Sequence, residues 1–573
     1  MLKHWFFGWA LVGLLLLVTP AAAQDGRGVI TIVNPVSTGG LTGSLNPALC
    51  NNSGCQTLLD LLLPTLFALD PTTGTVTTAA AENVGLVLDP ALQSGDTQTL
   101  KLRQDLTWTD GTPVTAYDVL YTYLALTSPD FASAYQNIHN QIVSIGIVDS
   151  FTLTIQYHRA TCGTFTRANF PILPAHTFDS DFAATITAAG AAVRTRDEWY
   201  VLYPRNRVYE TIVGHPFNDF PAPTAGRFRL DAIRPGQDVR LSAGNTAFVY
   251  TDLPEGLSEL DYFLAGQSSL LINPPADRRD DLRATPGLQI VEFPGWSWDY
   301  INFTTLDPKE AYKAFTEDGQ LRDLEPHPIF GDVRVRRAVQ MAIDVNEIIE
   351  IAFQGNATPM ASYLPPASWA YNPDLQPIVY DPFAAAHLLD EAGWRDANRD
   401  GVRECRDCLY AEPDYPFTFT LQVQDGGQRD IVSHLIERQL SQIGIQVIIG
   451  GPTDGMAADA YLQSSDAAFE RADPDRLPIS LRDDTAFTPQ NSFGSYPNPE
   501  IEALAEQART VSACNLDQRA NLYRQIQTLL QVDQPYAFLY VRNEMVVAAP
   551  GLLNFDPLPG NPYRNLLDWV VTP

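Results

Sequence analysis

The feature that most constrains this chain is the stretch of residues 100–126, in which a strand, a turn and a helix follow one another directly. Apolar residues alternate with polar ones at its start, which predicts a strand with one buried face. Gly111 and Pro113 favour a turn. Thr115, followed three residues later by Asp118, is typical of a helix N-terminus. The stretch therefore predicts one unit of an α/β core.

The N-terminus has the pattern of an export signal. A charged start, an apolar run over residues 5–18 and three alanines at 21–23 predict a secretory signal peptide of residues 1–23. That run is too short for an ordinary membrane span, and no later apolar stretch approaches the required length of about 20 residues. Cleavage would leave about 550 residues, which is too many for one core and predicts two or three domains. We expect a secreted, soluble protein.

Composition narrows the range of functions. Hydrophobic residues make up 45% of the chain and charged residues 18%, which is typical of a globular protein and argues against disorder. The formal net charge is −30. Because such a surface repels phosphate backbones, nucleic-acid binding is disfavoured.

The six cysteines suit an oxidising compartment. Cys50 lies close to Cys55, and Cys405 lies close to Cys408, while the other two are far apart in the chain. The spacing favours two short-loop disulfides and one long-range bond between Cys162 and Cys514, among the other pairings that six cysteines allow.

The sequence contains no familiar catalytic motif. We find no nucleophile elbow, phosphate-binding loop, zinc-protease motif or dinucleotide-binding glycine motif. The eight histidines do not cluster at ligand spacing. The many Asp and Glu residues leave a glycosidase-type carboxylate pair open. The absence of these motifs agrees with a binding protein.

Three segments carry a resemblance to a known family. They are Pro-Thr-Leu-Phe-x-x-Asp-Pro-x-Thr-Gly at 64–74, Leu-Arg-x-x-Leu-x-Trp-x-Asp-Gly-x-Pro-Val-Thr-Ala-x-Asp-Val at 102–119, and Val-Arg-x-Ala-x-x-x-Ala-Ile-Asp at 335–344. Together they resemble the family 5 solute-binding proteins, the extracellular peptide- and nickel-binding receptors of ABC importers. The chain departs from the family at Asn46, where Asp is usual, and at residues 266–269, where a Gly-Glu-x-Asp landmark is missing.

The resemblance implies an α/β fold of the large, two-lobed periplasmic-binding-protein type (type II), with an extra domain and mixed sheets flanked by helices. The chain would cross between the lobes near residues 298–304 and 536–545. The implied domains are a signal peptide (1–23), a discontinuous lobe I (24–57, 221–300 and 540–573), an extra domain inserted in lobe I (58–220) and lobe II (301–539).

The resemblance also implies a function without catalysis. The protein would capture peptides in the interlobe cleft by hinge closure and deliver them to an ABC permease in the membrane. It would act as a monomer in the periplasm or on the extracellular face of the cytoplasmic membrane, and it would need no cofactor. An oligosaccharide or a metal chelate is an alternative ligand. A secreted hydrolase and a degenerate sensor or scaffold are alternatives of other classes.

The resemblance places the candidate ligand-binding residues on several segments of the predicted cleft. In peptide-binding members a carboxylate near an Asp-Pro pair receives the α-ammonium group of the peptide, and Asp473 is the nearest match. Phe469 would form an aromatic wall, and Arg471 would meet a ligand carboxylate. The remaining candidates are Asn46, Trp296, Trp298 and Tyr540.

One acidic loop matches a calcium-binding pattern. Oxygen ligands recur at the spacing of an EF-hand loop, with Gly401 at the turn position. The candidate ligands are Asp396, Asn398, Asp400, the Val402 carbonyl, Glu404 and Asp407. The alternative is an ordinary acidic turn, and a disulfide between Cys405 and Cys408 would either stiffen the loop or preclude a metal ion. If present, the calcium ion would be structural only.

Two further expectations concern local structure. A strand-helix-strand pattern over residues 417–449 predicts a mainly parallel sheet in the last lobe. Residues 179–224, which are rich in Ala, Thr, Arg and Pro, read as an insertion-like surface region.

Overall fold

The computed structural model describes residues 28–33, 44–70, 72–73, 75–77, 85–87, 95–244, 246–254, 256–309, 324–424, 426–451, 457–466, 474, 496 and 498–572. Within these ranges the strands are β1 (Gly28–Val33), β2 (Thr97–Lys101), β3 (Ile142–Asp149), β4 (Thr152–Tyr157), β5 (Arg194–Thr195), β6 (Arg229–Arg234), β7 (Asp238–Ala243), β8 (Thr246–Thr251), β9 (Leu270–Ile272), β10 (Gln289–Phe303), β11 (Ala357–Pro359), β12 (Trp394–Arg395), β13 (Glu404–Cys405), β14 (Thr418–Val423), β15 (Gln446–Ile449), β16 (Ala460–Asp466), β17 (Tyr536–Ala548), β18 (Leu552–Leu553) and β19 (Val570–Val571).

The α-helices in the same ranges are α1 (Ser53–Leu62), α2 (Ala116–Leu126), α3 (Thr164–Arg167), α4 (Ala175–Phe178), α5 (Phe182–Ala189), α6 (Arg196–Leu202), α7 (Arg205–Ile212), α8 (Glu259–Leu264), α9 (Arg279–Ala284), α10 (Val333–Met341), α11 (Val345–Phe353), α12 (Pro382–Glu391), α13 (Gln428–Ser441), α14 (Pro499–Arg509) and α15 (Leu516–Asp533).

The strands form three larger sheets and two short pairs. The first sheet has the order β1-β8-β7-β6, and the second has the order β2-β4-β3-β5. The third and largest, called the central sheet below, has the order β11-β17-β10-β16-β14-β15, with β9 also paired to β17. The short pairs are β12-β13 and β18-β19. The predicted mixture of sheets and flanking helices is confirmed.

Residues 100–126 contain the predicted turn and helix, but the regular strand begins earlier and ends sooner than predicted. β2 ends at Lys101, a turn follows, and α2 begins after Thr115. The Asp118 carboxylate accepts hydrogen bonds from the backbone N–H of Thr115 at 2.7 Å and from that of Ala175 at 2.8 Å. Asp118 is 3% exposed. The residue that begins α2 therefore also fixes the start of α4.

The strand-helix-strand unit is confirmed, but the expectation of a mainly parallel sheet is wrong. β14 pairs in parallel with β15 across α13, and also with β16. The other pairings of the central sheet, which involve β9, β10, β11, β16 and β17, are antiparallel. The local sequence pattern predicts only the pairing of the two strands that α13 connects. The antiparallel pairs are formed by the long strands β10 and β17.

Most of residues 179–224 are exposed or partly exposed, as the prediction of a surface region expects, but the segment also has a buried inner face. The segment forms α5, α6 and α7, and these helices bury large side chains. Trp199 and Tyr203 are both 0% exposed, and the Trp199 indole N–H donates to the Ile145 carbonyl at 2.9 Å. The segment is a helical layer over β3. Its polar composition belongs to the outward faces of these short helices.

The buried apolar side chains form four clusters. Core A, the largest, includes Ile30, Leu62, Trp108, Trp199 and Trp569. Core B includes Phe303, Val339, Trp394, Leu421 and Ile436. Core C includes Trp298, Tyr363, Tyr523, Leu530 and Phe538. Core D includes Leu260, Phe263, Leu271, Met545 and Val547.

The alternation of side chains along β17 explains how two of these cores meet. Tyr536 and Phe538 belong to core C, while Ala537 and Leu539 belong to core B. Since successive residues of a strand point to opposite faces, cores B and C cover the two faces of the central sheet. Core A contains residues from both sides of the predicted domain boundary between residues 57 and 58. The predicted domain boundaries stay a prediction.

All six cysteines are paired in the way that the spacing favoured. The bonds are Cys50–Cys55, Cys162–Cys514 and Cys405–Cys408. Among the described helices, none is both long enough and apolar enough to span a membrane.

Candidate ligand-binding site

The candidate site lies on β10 and β17, called the crossing strands, at the point where they pass from core D to the space between cores B and C. Both strands begin or end beside core D and run antiparallel to reach the space between cores B and C. Their register shifts between Pro294 and Trp298, so that three residues of β10 lie opposite the single residue Arg542. A bulge of this kind bends the strand and redirects its side chains, and such bulges are frequent next to functional sites.

The bulge depends on a glycine and is packed against the C-terminal segment. A Cβ atom on Gly295 would lie 2.6 Å from a carboxylate oxygen of Glu544 and 2.9 Å from the Arg542 carbonyl oxygen. The other Glu544 oxygen accepts the Gly560 N–H at 2.6 Å. The Trp296 indole donates to the Pro559 carbonyl at 3.0 Å. These contacts hold the bulge in one position.

A buried carboxylate lies next to the bulge. Asp299 is 2% exposed, and one of its oxygens accepts the Tyr540 hydroxyl at 2.8 Å. The same oxygen lies 3.4 Å from Nε of Arg429. Burial and the charge of Asp299 raise the pKa of Tyr540 well above its ordinary value, so the phenol keeps its proton and donates. Within the described residues, the second Asp299 oxygen is buried and receives no hydrogen bond.

Arg542 lies opposite the bulge, and its guanidinium group has no carboxylate partner among the described residues. Arg542 donates from Nη2 to the hydroxyls of Ser297 and Ser464, the latter at 3.3 Å. Those two hydroxyls are 3.4 Å apart. No described Asp or Glu lies within ion-pair distance of Arg542, and its Nε is buried without an acceptor. The site thus combines two guanidinium groups with one carboxylate in a protein of strongly negative net charge.

We call these side chains the polar cluster: Asp299, Tyr540, Arg429, Arg542, Ser297 and Ser464. The chain topology places the polar cluster at the carboxyl ends of parallel strands. Arg429 is the second residue of α13, which follows β14, and Ser464 lies near the end of β16. β14 and β16 are parallel neighbours. In open α/β sheets, ligands bind at the carboxyl ends of strands, where loops and helix starts converge. The polar cluster occupies that position in the central sheet.

Four of the predicted ligand-binding residues lie in the described part of the chain. Trp296 is the middle residue of the bulge, and Tyr540 contacts Asp299. Trp298 lies in core C, 1% exposed, against Tyr300. The structure therefore brings Tyr540 to the polar cluster, ties the Trp296 indole to the C-terminal segment, and places Trp298 on the core C face of the sheet.

Asn46 lies elsewhere and is fully buried. Its amide donates to the Asn218 side chain at 2.8 Å, and its amide oxygen accepts the Ala48 N–H at 3.0 Å. The side chain closes a turn and ties it to the segment after α7. Its predicted contact with ligand is untested.

The other three predicted residues, Phe469, Arg471 and Asp473, lie outside the described residues. The chain leaves the described part after Asp466, which is paired with Ser297 of the bulge. The predicted segment thus continues directly from the strand end that borders the polar cluster.

The acidic loop of residues 396–407 does not converge on a metal-holding point. Within the described residues, no three His, Cys, Asp or Glu side chains form such a group. Glu404 instead contacts the Arg406 guanidinium at 2.5 Å and accepts two backbone N–H groups. Asp400 accepts the backbone N–H of Val402 at 2.8 Å. This arrangement favours the acidic turn, and the calcium site stays a prediction.

Sequence reasoning did not single out Asp299, Arg429 or Arg542. Charged residues inside otherwise apolar strands are a usable signal, and Asp299 and Arg542 both meet that description. Arg429 gives no such signal, because charged residues are ordinary near a helix start.

Comparison with known proteins gives the chain a family. The family model "Bacterial extracellular solute-binding proteins, family 5 Middle" matches residues 91–469, more than half of the chain. The chain belongs to this family. The resemblance to family 5 solute-binding proteins that the sequence motifs indicated is confirmed.

Several relatives of this family 5 protein are known. The oligopeptide-binding protein AppA of Bacillus subtilis is 22% identical over 503 residues, which cover 83% of this chain and 81% of AppA. The structure of AppA in complex with a nonapeptide is similar at a TM-score of 0.60 and 21% identity, covering 95% of this chain and 99% of AppA.

Two other solved structures are similar at 17% identity. HbpA2 from Haemophilus parasuis has a TM-score of 0.70, and NikA from Brucella suis in complex with Fe(III)-EDTA has a TM-score of 0.65. Each comparison covers 95% of this chain and 100% of the other. These likenesses confirm the predicted fold of the periplasmic-binding-protein type.

Proposed function

We propose that this family 5 protein is the extracellular receptor of an ABC importer and that it captures peptides at the polar cluster where β10 and β17 cross. The ligand would lie between the two predicted lobes, and closure about the crossing strands would enclose it. The loaded receptor would then dock on a permease in the membrane. The protein would be exported, would act as a monomer without nucleic acid, and would catalyse no reaction.

The observation that carries this proposal is Arg542. A guanidinium beside two hydroxyls, with no described carboxylate partner, is suited to receive an anionic group such as the terminal carboxylate of a peptide. Asp299 offers a buried oxygen to an N–H donor of the same ligand. A peptide carries both kinds of group. The nonapeptide bound to AppA supports the same ligand class.

The decisive experiment is native mass spectrometry of the purified mature protein, before and after denaturation. A releasable ladder of peptide masses at one-to-one stoichiometry is the expected result. A single sugar or metal-chelate mass would keep the receptor and overturn the peptide assignment; the Fe(III)-EDTA bound to NikA makes a chelate the alternative to examine. Turnover of an added peptide would point to the hydrolase alternative. A protein that carries no ligand and whose melting temperature does not shift with peptide mixtures would contradict the proposal.

Arg542 itself can be tested once a ligand is in hand. Arg542→Gln should weaken binding at least about tenfold, since a hydrogen bond to a charged group contributes about 1.5–3 kcal/mol. Arg395→Gln is the matched control, because Arg395 is exposed on β12, far along the chain from the crossing strands. Equal affinity of the two variants in isothermal titration calorimetry would remove Arg542 from the site.

A further inference from the structure

The disulfide between Cys162 and Cys514 joins two parts of the molecule that have separate cores. The two cysteines are 352 residues apart in sequence, and their Cα atoms are 5.4 Å apart. Cys162 follows β4 and precedes Phe165, which belongs to core A. Cys514 lies in the connection between α14 and α15, whose apolar faces belong to core C. The crossing strands are one link between these parts, and the disulfide is a second.

Two noncovalent contacts lie beside the bond. The Cys162 N–H donates to the Arg509 carbonyl at 2.9 Å, and Arg159 forms an ion pair with Glu506. The side chains of that ion pair are 55% and 42% exposed. Because exposed ion pairs contribute little to stability, the covalent bond is the dominant link at this seam.

The backbone at this seam is held in an unusual conformation. Ala513 and Cys514 have φ angles of 53° and 49°, in the left-handed region that residues with a Cβ rarely adopt. Such residues persist where the surrounding structure fixes them. Here the disulfide holds Cys514 together with the hydrogen bond that the Cys514 N–H donates to the Val511 carbonyl at 3.0 Å, so opening the bond removes one of the contacts that fix this short connection.

The same bond is more accessible than one of its counterparts. Cys162 and Cys514 are both partly exposed, and Ser512, Ala513 and Asn515 beside them are exposed. In contrast, Cys50 and Cys55 are 1% and 4% exposed. Thiol–disulfide exchange requires access of a thiolate to a sulfur atom. A thiol reagent therefore reaches the Cys162–Cys514 bond before it reaches Cys50–Cys55.

We propose that the Cys162–Cys514 bond is a redox-controlled clasp that limits how far the two predicted lobes separate. With the bond formed, residues 159–162 and the α14–α15 connection stay together, and motion about the crossing strands is restricted. A dithiol opens the clasp: its thiolate attacks one sulfur to form a mixed disulfide, and its second thiol then displaces the cysteine. The dithiol leaves as a disulfide, and two cysteine thiols remain after proton uptake. Opening the clasp widens the cleft and speeds ligand exchange.

The clasp proposal rests on one part of the proposed function, namely that ligand enters when the two predicted lobes separate. The test therefore uses a distance that needs no ligand. All six native cysteines are bonded, so cysteines introduced at the exposed positions Val201 and Phe383 are selectively spin-labelled. Double electron–electron resonance then compares the Val201–Phe383 distance in this background with that in the same background carrying Cys162→Ser and Cys514→Ser.

The expected result is a longer and broader distance distribution in the clasp variant, together with at least a tenfold faster release of any ligand identified by mass spectrometry. Cys50→Ser with Cys55→Ser is the matched control and should leave the distance unchanged. A second measurement covers the case in which the clasp variant fails to fold. It is small-angle scattering of the unlabelled wild type, with and without a dithiol. The dithiol concentration is one that mass spectrometry shows to open only Cys162–Cys514.

Identical distance distributions in the clasp variant and its parent would overturn the clasp, whatever the ligand. An increase in radius of gyration on selective reduction would support it, and an unchanged radius would overturn it. Since neither measurement involves a peptide, a protein that binds no peptide but opens on reduction would overturn the proposed ligand class and leave the clasp standing.

Discussion

At the scale of single residues, Asp118 shows how one side chain serves two elements. It begins α2 through Thr115 and also binds the backbone at the start of α4. Burial raises the pKa of Asp118 to about 6, against the hydrogen bonds that lower it. A sequence pattern alone predicted its role as a cap, but its burial and its second partner come from the packing of α4 against α2.

Asp118→Asn should destabilise the protein by about 1–3 kcal/mol near pH 7, because a carboxamide has one oxygen for the two N–H donors that the carboxylate serves. The folded pKa lies above the unfolded value, so the folded wild type binds more protons between about pH 4 and pH 6 and gains stability on acidification. That gain is lost as the pH rises through 6. The difference between wild type and variant should therefore widen by up to about 3 kcal/mol at acid pH.

Urea unfolding at several pH values measures this difference. The control is Asp197→Asn, since the Asp197 side chain is 84% exposed. A difference between wild type and Asp118→Asn that is constant with pH would refute the raised pKa of Asp118.

At the scale of elements, the helical layer over β3 is anchored in core A by the buried side chains on its inner face. Trp199→Ala on α6 should lower the free energy of unfolding by about 3–5 kcal/mol, because it leaves a cavity and an unpaired Ile145 carbonyl. Val201 lies on the same helix and is 79% exposed, so Val201→Ala should have an effect below about 0.5 kcal/mol. Comparable losses in thermal unfolding of the two variants would mean that α6 does not pack as described.

The acidic loop between β12 and β13 gives a second prediction at this scale. Its carboxylates already bind backbone N–H groups and Arg406, so we expect millimolar calcium to leave the melting temperature unchanged. A bound ion would instead raise it with concentration. A calcium-dependent rise that disappears in Asp400→Asn would establish the calcium site and overturn the acidic-turn interpretation.

At the scale of the whole molecule, the strands of the central sheet contribute buried side chains to cores A, B, C and D. Residues 298–303 of β10 and 536–541 of β17 lie between cores B and C and are covered on both faces. Their amides should exchange hydrogen only through global unfolding. In hydrogen-exchange mass spectrometry, peptides from these residues should be the slowest to exchange, and peptides from the two-stranded pair β18–β19 should be much faster. Similar rates would show that the crossing strands open locally.

Local structure and family membership can be read from the amino-acid sequence of this protein. The helix start at Thr115 and the β14-α13-β15 unit both follow from patterns in which the interacting residues are close in the chain. Turn chemistry, capping and periodicity are encoded within one or two turns of backbone, so a single sequence expresses them.

Contacts between residues that are distant in the chain could not be predicted in this way. Nothing near Asp299 in the sequence indicates that Tyr540 and Arg429 contact it, or that Arg542 would face Ser297 and Ser464 across a bulge. The burial of α5–α7 and the antiparallel majority of the central sheet have the same origin. These features depend on how long strands cross and how separate cores pack, and the physical reason is that such contacts are selected by shape and burial over the whole chain, not by local backbone preferences.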